Sequence, residues 1–232
     1  MPTKPASRPA PRKELDAAGR LLDAAERLFG RHGYDGVGVR KLTKEARVNL
    51  GAVTYHFGSK EALYVETFMR RFRPTEIERR RLLQEAKAEA KDQPVPVEQI
   101  VDCMVRPPYQ LGLKHPDFFT LLERNFSAPP SCLIAALHRE FAPNMKLCEQ
   151  ALRRSLPNVP EDLLRLRVMF SLAALHASPR RFAKIRPGQN PKFHEGILRE
   201  LVRFIAAGLQ SEPAVPAAER PPIPCLDKPP RG

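Results

Sequence analysis

The sequence predicts an all-α protein, a small N-terminal domain of three helices followed by a larger helical domain. Three observations predict it. Apolar residues recur at three- and four-residue steps through most of the 232 residues, the spacing of a buried helix face. No segment keeps the two-residue alternation of a half-buried strand. Prolines divide the periodic segments, and a proline in a helix interior removes a backbone donor and clashes with the preceding turn.

Taken in order, residues 1–13 hold four prolines and four basic side chains, which predicts a mobile basic arm. Leu15, Ala18, Leu22, Ala25 and Phe29, widened by Leu21 and Leu28, form one amphipathic helix ending near Gly33. Val39, Leu42 and Ala46 give a short helix over residues 39–46. Arg47-Val48-Asn49 reads as a tight turn, with Asn49 as side-chain N-cap of a second short helix over residues 50–57. Gly58 closes that helix in a left-handed conformation and Ser59 caps the next, which runs from Lys60 to about Arg73. Pro74 kinks or restarts it, and the pattern continues to Lys91. Further helices are expected over residues 95–113, bent by Pro107-Pro108, and over 116–126, 131–156, 161–177 and 191–209. Seven prolines in the 22 residues from Ser211 predict a disordered tail. The expected organisation is an arm (1–13), a helix-turn-helix domain (14–59), a helical domain (60–210) and a tail (211–232).

The formal net charge is +13, and it is concentrated. Residues 1–73 hold 15 Lys and Arg against 8 Asp and Glu, while the other 159 hold 24 against 18. Such a surface attracts polyanions by Coulomb forces and counterion release, which points to nucleic acid; charge kept for solubility is the plainer reading. Cys103, Cys132, Cys148 and Cys225 are too scattered for a zinc knuckle or a C-x-x-C pair, and the first three read as small buried hydrophobes. No H-E-x-x-H, G-x-S-x-G or phosphate-cradling glycine loop occurs, so the sequence offers no catalytic residue, metal ligand or cofactor site. No run of about 18 apolar residues is present, and the N-terminus has no apolar stretch of a secretory signal. A soluble, cytoplasmic protein without a membrane partner is expected.

Short helix, turn and short helix make a helix-turn-helix, a scaffold that holds its second helix outward to fit a major groove. On a wheel drawn over residues 50–57, Leu50, Val53 and Phe57 share the inward face. Gly51, Ala52 and Tyr55 face out, with Thr54 and His56 on the flanks. Small outward residues let the backbone approach base edges, and Ala or Thr meets a thymine methyl. Leu50 also suits both environments, Tyr55 a packed surface position and His56 a C-terminal cap. Arg79-Arg80-Arg81, interleaved with Glu76, Glu78 and Glu85, reads as a solvated helix face. Lys4, Arg8, Arg12 and Lys13 suit either minor-groove contact or simple solvation.

The stretch RLLDAAERLFGRHGYDGVGVRKLTKEARVNLGAVTYHFGSKEALY resembles the DNA-binding domain of the TetR family of transcriptional regulators. The carrying features are Leu28-Phe29 before Gly33-Tyr34, then Val39 and Leu42, then GAVTYHFGSKEAL. The resemblance implies that residues 50–57 are the recognition helix, and that Arg40, Asn49, Leu50, Gly51, Ala52, Thr54, Tyr55, His56 and Lys60 contact DNA. Of these, Tyr55, His56 and Lys60 are implied to hold phosphates. Two departures concern the operator sequence: Thr54 stands where many members have tyrosine, and Arg47 where the turn usually has glycine, adding a charge beside the DNA face.

The same resemblance implies a ligand pocket and a two-fold interface in the later helices, hence a homodimer on a palindromic operator and control by a small-molecule effector that the sequence leaves unidentified. Independent support for the interface comes from helices 161–177 and 191–209, apolar on more sides than one buried stripe requires. Expected interface residues are Leu166, Phe170, Ala173, Ile197, Leu201, Phe204 and Ile205. Candidates for the pocket are Met104, Tyr109, Phe119, Leu122, Phe126, Phe141 and Met169, each of which at helical spacing also suits plain core. Repression is the expected role; an activator of the same fold, or an architectural DNA-binding protein without an effector, are the alternatives.

Overall fold

The structure, a computed structural model, describes residues 12–127, 129–185 and 191–213, and the side chains among them except those of 12–15, 126, 127 and 176–185. Among them are helices α1 (Arg12–His32), α2 (Val39–Ala46), α3 (Ala52–Phe57), α4 (Lys60–Ala90), α5 (Val97–Lys114), α6 (Pro116–Ser127), α7 (Ser131–Ser155), α8 (Glu161–Ile185) and α9 (Pro191–Gln210), with no strand. The expected all-α class and helix order are therefore observed. Residues 1–11 of the expected arm and 214–232 of the expected tail lie outside the described residues.

The chain divides into two compact units. Residues of Met1–Arg73 and His115–Arg139 form the first, and those of Pro74–Lys114 and Glu140–Gly232 the second. The first border falls at Pro74, where α4 lacks a ladder donor.

In the first unit α1 packs on α2, α3 and α6. Leu21, Ala24, Ala25 and Phe29 are fully buried and Leu28 nearly so, the stripe its three- and four-residue spacing demands. Gly30 permits the approach of α6: a Cβ there would lie 3.0 Å from the Asp117 carbonyl oxygen. The N-terminal part of α4 adds Leu63, Phe68 and Met69 to this core, with the Phe68 and Phe118 rings 5.3 Å apart.

In the second unit α5, α8 and α9 pack together around Ile100, Val101, Met104, Leu164, Val168, Leu198, Val202 and Ile205, with Leu83 of α4 and Leu152 of α7 added. The expected solvated face on α4 holds for Arg81, which pairs with Glu78 and Glu85 in solvent. It does not hold for Glu76 and Arg79, which are buried. The reason lies in α5. Pro108 has no N–H, so the carbonyl of Met104 four residues earlier loses its helical donor. Arg79 Nε donates to that oxygen at 3.0 Å. Its Nη1 donates to Glu76 at 2.5 Å, and Asn144 Nδ2 donates to both the Glu76 carbonyl and carboxylate at 2.8 Å. Arg80 closes the set with a 3.0 Å bond to Asn144 Oδ1. Burial pushes the Glu76 carboxyl above its ordinary value despite the attraction of Arg79.

Candidate nucleic-acid interface

The candidate interface is α2, the turn after it, α3 and the start of α4, all in the first unit. α2 turns Leu42, Thr43 and Ala46 inward. Its C-terminal carbonyls are served from two directions: Val48 N–H donates to Thr43 O at 3.0 Å, and Arg20 Nε of α1 to Ala46 O at 3.1 Å. Between them Arg47 closes the helix in the left-handed region, φ 53° and ψ 49°. Glu45, the sole carboxylate of α2, pairs with Arg27 of α1 at 3.2 Å. Arg40, Lys41, Lys44 and Arg47 are exposed, and their side chains have no hydrogen-bond or ion-pair partner among the described residues.

α3 begins at Ala52, two residues later than the sequence suggests. The Asn49 side chain does not cap it; the Asn49 backbone carbonyl accepts from Ala52 N–H at 3.1 Å. The later start changes which residues face out. Leu50, expected inward, is 54% exposed, and Ala52, expected outward, is buried beside Val53. Leu50 and Gly51 belong to the turn, where a helical wheel does not apply. The exposed set is Asn49, Leu50, Gly51, Thr54 and Tyr55, with Tyr55 72% exposed. His56 and Phe57 are half-buried, and the Tyr55 and His56 rings meet edge to face at 4.9 Å. Gly58, at φ 81°, closes α3 in a backbone conformation that any side chain would strain. Ser59 Oγ then accepts from Ala62 N–H at 3.1 Å, as expected of its cap position.

Lys60 opens α4 with its ammonium 4.1 Å above the Tyr34 ring, a cation–π contact that restricts an otherwise mobile side chain. Tyr34 is itself fixed. Its hydroxyl donates to Glu61 at 2.6 Å, and its ring meets Tyr64 edge to face at 4.9 Å. Burial and then the Glu61 bond raise the Tyr34 phenol, and the same bond holds the Glu61 carboxyl below its usual value. Tyr64, buried and donating to Asn125 at 2.7 Å, anchors the group to α6, with its own phenol pushed up to about 12 by burial.

Sequence reasoning picked Arg40 from the basic ridge and left Lys41, Lys44 and Arg47 out of the contact set. The available signal was spacing for Lys44, which shares a helical face with Arg40, and for Arg47 its place in the turn before α3.

The expected pocket residues are divided between the two units. Phe119 and Leu122 are buried in the first unit; Met104, Tyr109, Phe141 and Met169 belong to the second; the Phe126 side chain lies outside the described residues. Phe119, Leu122, Met104 and Tyr109 are core, as apolar residues at helical spacing usually are. Met104 alone of the set lines an apolar recess of the second unit, with Val101, Val105, Val168, Ser171, Leu172, Leu175, Ile205 and Leu209. Its free volume of about 10 Å³ is room for about one water. Cys103 and Cys148 are buried, their thiols pushed up to about 12 and about 11 by burial. These are inert rather than redox-poised thiols.

Of the expected interface residues, Phe170 and Phe204 are 62% and 71% exposed, Ala173 is exposed, and Leu166, Ile197 and Leu201 are half-buried. Ile205 is the exception, 4% exposed and packed into the core of its own subunit because it points along the α9 stripe of Leu198, Val202 and Leu209. Among the described residues no three His, Cys, Asp or Glu side chains group to hold a metal ion, and no helix is long and apolar enough to cross a membrane.

Comparison with known proteins agrees with the fold. The profile of bacterial regulatory proteins of the tetR family matches residues 21–67, and that of a tetracyclin repressor-like C-terminal domain matches residues 102–208. Together they take in more than half of the chain. The chain is 38% identical over 53 residues to the transcriptional repressor AcnR of Corynebacterium efficiens, covering 23% of this chain and 28% of that protein. It is 48% identical over 50 residues to the transcriptional regulatory protein RaaS of Mycobacterium tuberculosis, covering 22% and 23%. The match thus spans about a quarter of the length of these curated relatives. Among solved structures, a TetR family transcription regulator from Marinobacter aquaeolei VT8 superposes with a TM-score of 0.60 at 16% identity, over 84% of this chain and 97% of that one. HlyIIR, a hemolysin II transcriptional regulator, does so with a TM-score of 0.57 at 19% identity, over 86% and 99%. At such identities these likenesses speak for the fold.

Proposed function

The chain belongs to the TetR family of bacterial regulatory proteins, and from that premise we propose that it is a homodimeric, sequence-specific DNA-binding regulator of transcription. It acts as a repressor that a small-molecule effector releases from its operator, in the cytoplasm and without catalytic activity or cofactor. One observation carries the reading: α3 and its flanking turn present Asn49, Leu50, Gly51, Thr54 and Tyr55 to solvent beside a ridge of cations whose side chains have no partner among the described residues.

The chemistry fits a duplex. Asn49 and Thr54 bring hydrogen-bonding groups to base edges, and Leu50 and the Thr54 methyl bring apolar surface for thymine methyls. Tyr55, His56 and Lys60, at the far end of α3 and the start of α4, carry donors suited to phosphate oxygens. Arg40 suits either. Ala52, buried, supports the helix rather than touching DNA.

Phe170, Ala173 and Phe204 form an exposed apolar set on α8 and α9, and the occupant proposed for it is the same face of a second copy. A two-fold dimer sets two recognition helices about 34 Å apart, or a multiple, along one side of the duplex. The effector is assigned to the second unit, where Met104 lines the apolar recess; a ligand larger than a water has to widen it.

Selection of bound DNA from a random pool tests the reading. The expected result is an enriched site with two inverted half-sites. Retention of the whole pool without enrichment would indicate an architectural protein, and no retention would remove the DNA-binding reading.

A further inference from the structure

We propose that Arg47 is a phosphate-binding residue held at a cost to the fold, adding one DNA contact outside α3 itself. The inference rests on the DNA-binding reading above and extends its contact surface to the turn between α2 and α3.

Four observations converge. Arg47 sits at φ 53°, ψ 49°, and is one of two non-glycine residues with positive φ among those described. For a residue with a Cβ this conformation is disfavoured, and glycine adopts it freely. The position therefore asks for glycine, and a retained arginine needs a reason in its side chain.

The side chain has none within the fold. Among the described residues it makes no hydrogen bond or ion pair. The ordinary task of a cation at a helix C-terminus is to serve the last carbonyls, and here three of the last four, those of Thr43, Lys44 and Ala46, have other donors. Val48 N–H takes Thr43 O, and Arg20 from α1 takes Ala46 O.

The surroundings favour an anion. Arg40 and Lys44 share one face of α2, seven and three residues before Arg47, with side chains exposed and without partners among the described residues. Two carboxylates of this region are already engaged, Glu45 by Arg27 at 3.2 Å and Asp16 by Arg20. Finally, Arg47 lies two residues before Asn49, the first exposed residue of the proposed base-reading set. A phosphodiester oxygen is the ligand chemistry that suits a guanidinium beside base-reading groups.

The proposal makes two effects of one substitution run in opposite directions. Arg47→Gly should raise the melting temperature of the free protein by about 2–4 °C, the shift that relief of left-handed strain gives in a chain of this size. The same variant should bind its selected operator about 5–10-fold more weakly. It should also lower the slope of log affinity against log salt by about one unit, the signature of one lost phosphate contact. Arg47→Lys should keep the native slope, and Arg47→Gln should lose it without the thermal gain. An Arg47→Gly protein that binds with native affinity and slope would overturn the proposal, as would one that loses stability and affinity together. Wild-type protein that enriches no DNA would instead count against the DNA-binding reading itself, so the two failures are distinguishable.

Discussion

Two clusters of cations in this molecule use the same residue types and meet opposite fates. In the second unit Arg79 is buried and donates to Glu76 and to the Met104 carbonyl, and Asn144 in turn donates to Glu76. On α2 and the following turn, the side chains of Arg40, Lys41, Lys44 and Arg47 stand in solvent with no partner among the described residues. A buried charge persists only where its desolvation is offset by complete hydrogen bonding. An exposed one needs no such compensation, and four grouped with no carboxylate bound to them repel one another unless a polyanion joins them. The difference teaches how to sort basic residues here: those occupied by the fold hold it together, and those left over are the ones proposed to meet DNA.

The largest effect expected on this contrast comes from the buried side. Arg79→Met strands the Met104 carbonyl and leaves Glu76 without its counter-ion, so urea unfolding should show a loss of roughly 3–5 kcal/mol. Native stability in that variant would mean that the cluster does not carry the structural load assigned to it. Next is the exposed apolar face. Phe204→Arg removes a side chain that is 71% exposed and outside the subunit core, and should yield folded monomers by sedimentation with much weaker operator binding. Dimers that persist would place the two-fold contact elsewhere.

A smaller effect concerns the cation held on an aromatic ring. Lys60→Ala should weaken binding to all DNA sequences alike and flatten the salt dependence by about one unit. A change in base preference with the slope unaltered would show that Lys60 reads bases instead. The smallest is a pH effect. Burial raises the Glu76 carboxyl above its ordinary value of 4.5, so the folded state binds the proton more tightly than the unfolded chain. The stability linked to it is complete below the unfolded value and is lost as pH rises through the folded one. Thermal unfolding of the native protein should therefore show a fall across that window that is absent from Glu76→Gln, and parallel profiles would contradict the assignment.

Helix order was readable in the sequence because apolar periodicity and proline placement are local signals. α2 was located to the residue, and Ser59 and Gly58 at their cap positions. The start of α3 was not, because Asn49 uses its backbone carbonyl rather than its side chain. That two-residue difference inverted the expected orientations of Leu50 and Ala52. The burial of Arg79 was hidden for another reason: the carbonyl it serves belongs to Met104, 25 residues away. Two local clues pointed to it, the proline pair inside an apolar helix and the place of Glu76 and Arg79 on the stripe continued by Leu83 and Ala86. An apolar pocket was least legible, since a residue that lines a cavity and one that fills a core have the same spacing and the same chemistry.

The most direct measurement of the central contrast is the salt dependence of operator binding in two charge-neutralised variants, Arg40→Gln from the unpaired ridge and Arg81→Gln from the paired face of α4. The account predicts that Arg40→Gln lowers the slope of log affinity against log salt by about one unit while Arg81→Gln leaves it unchanged. Equal slopes in both variants and the native protein would contradict it.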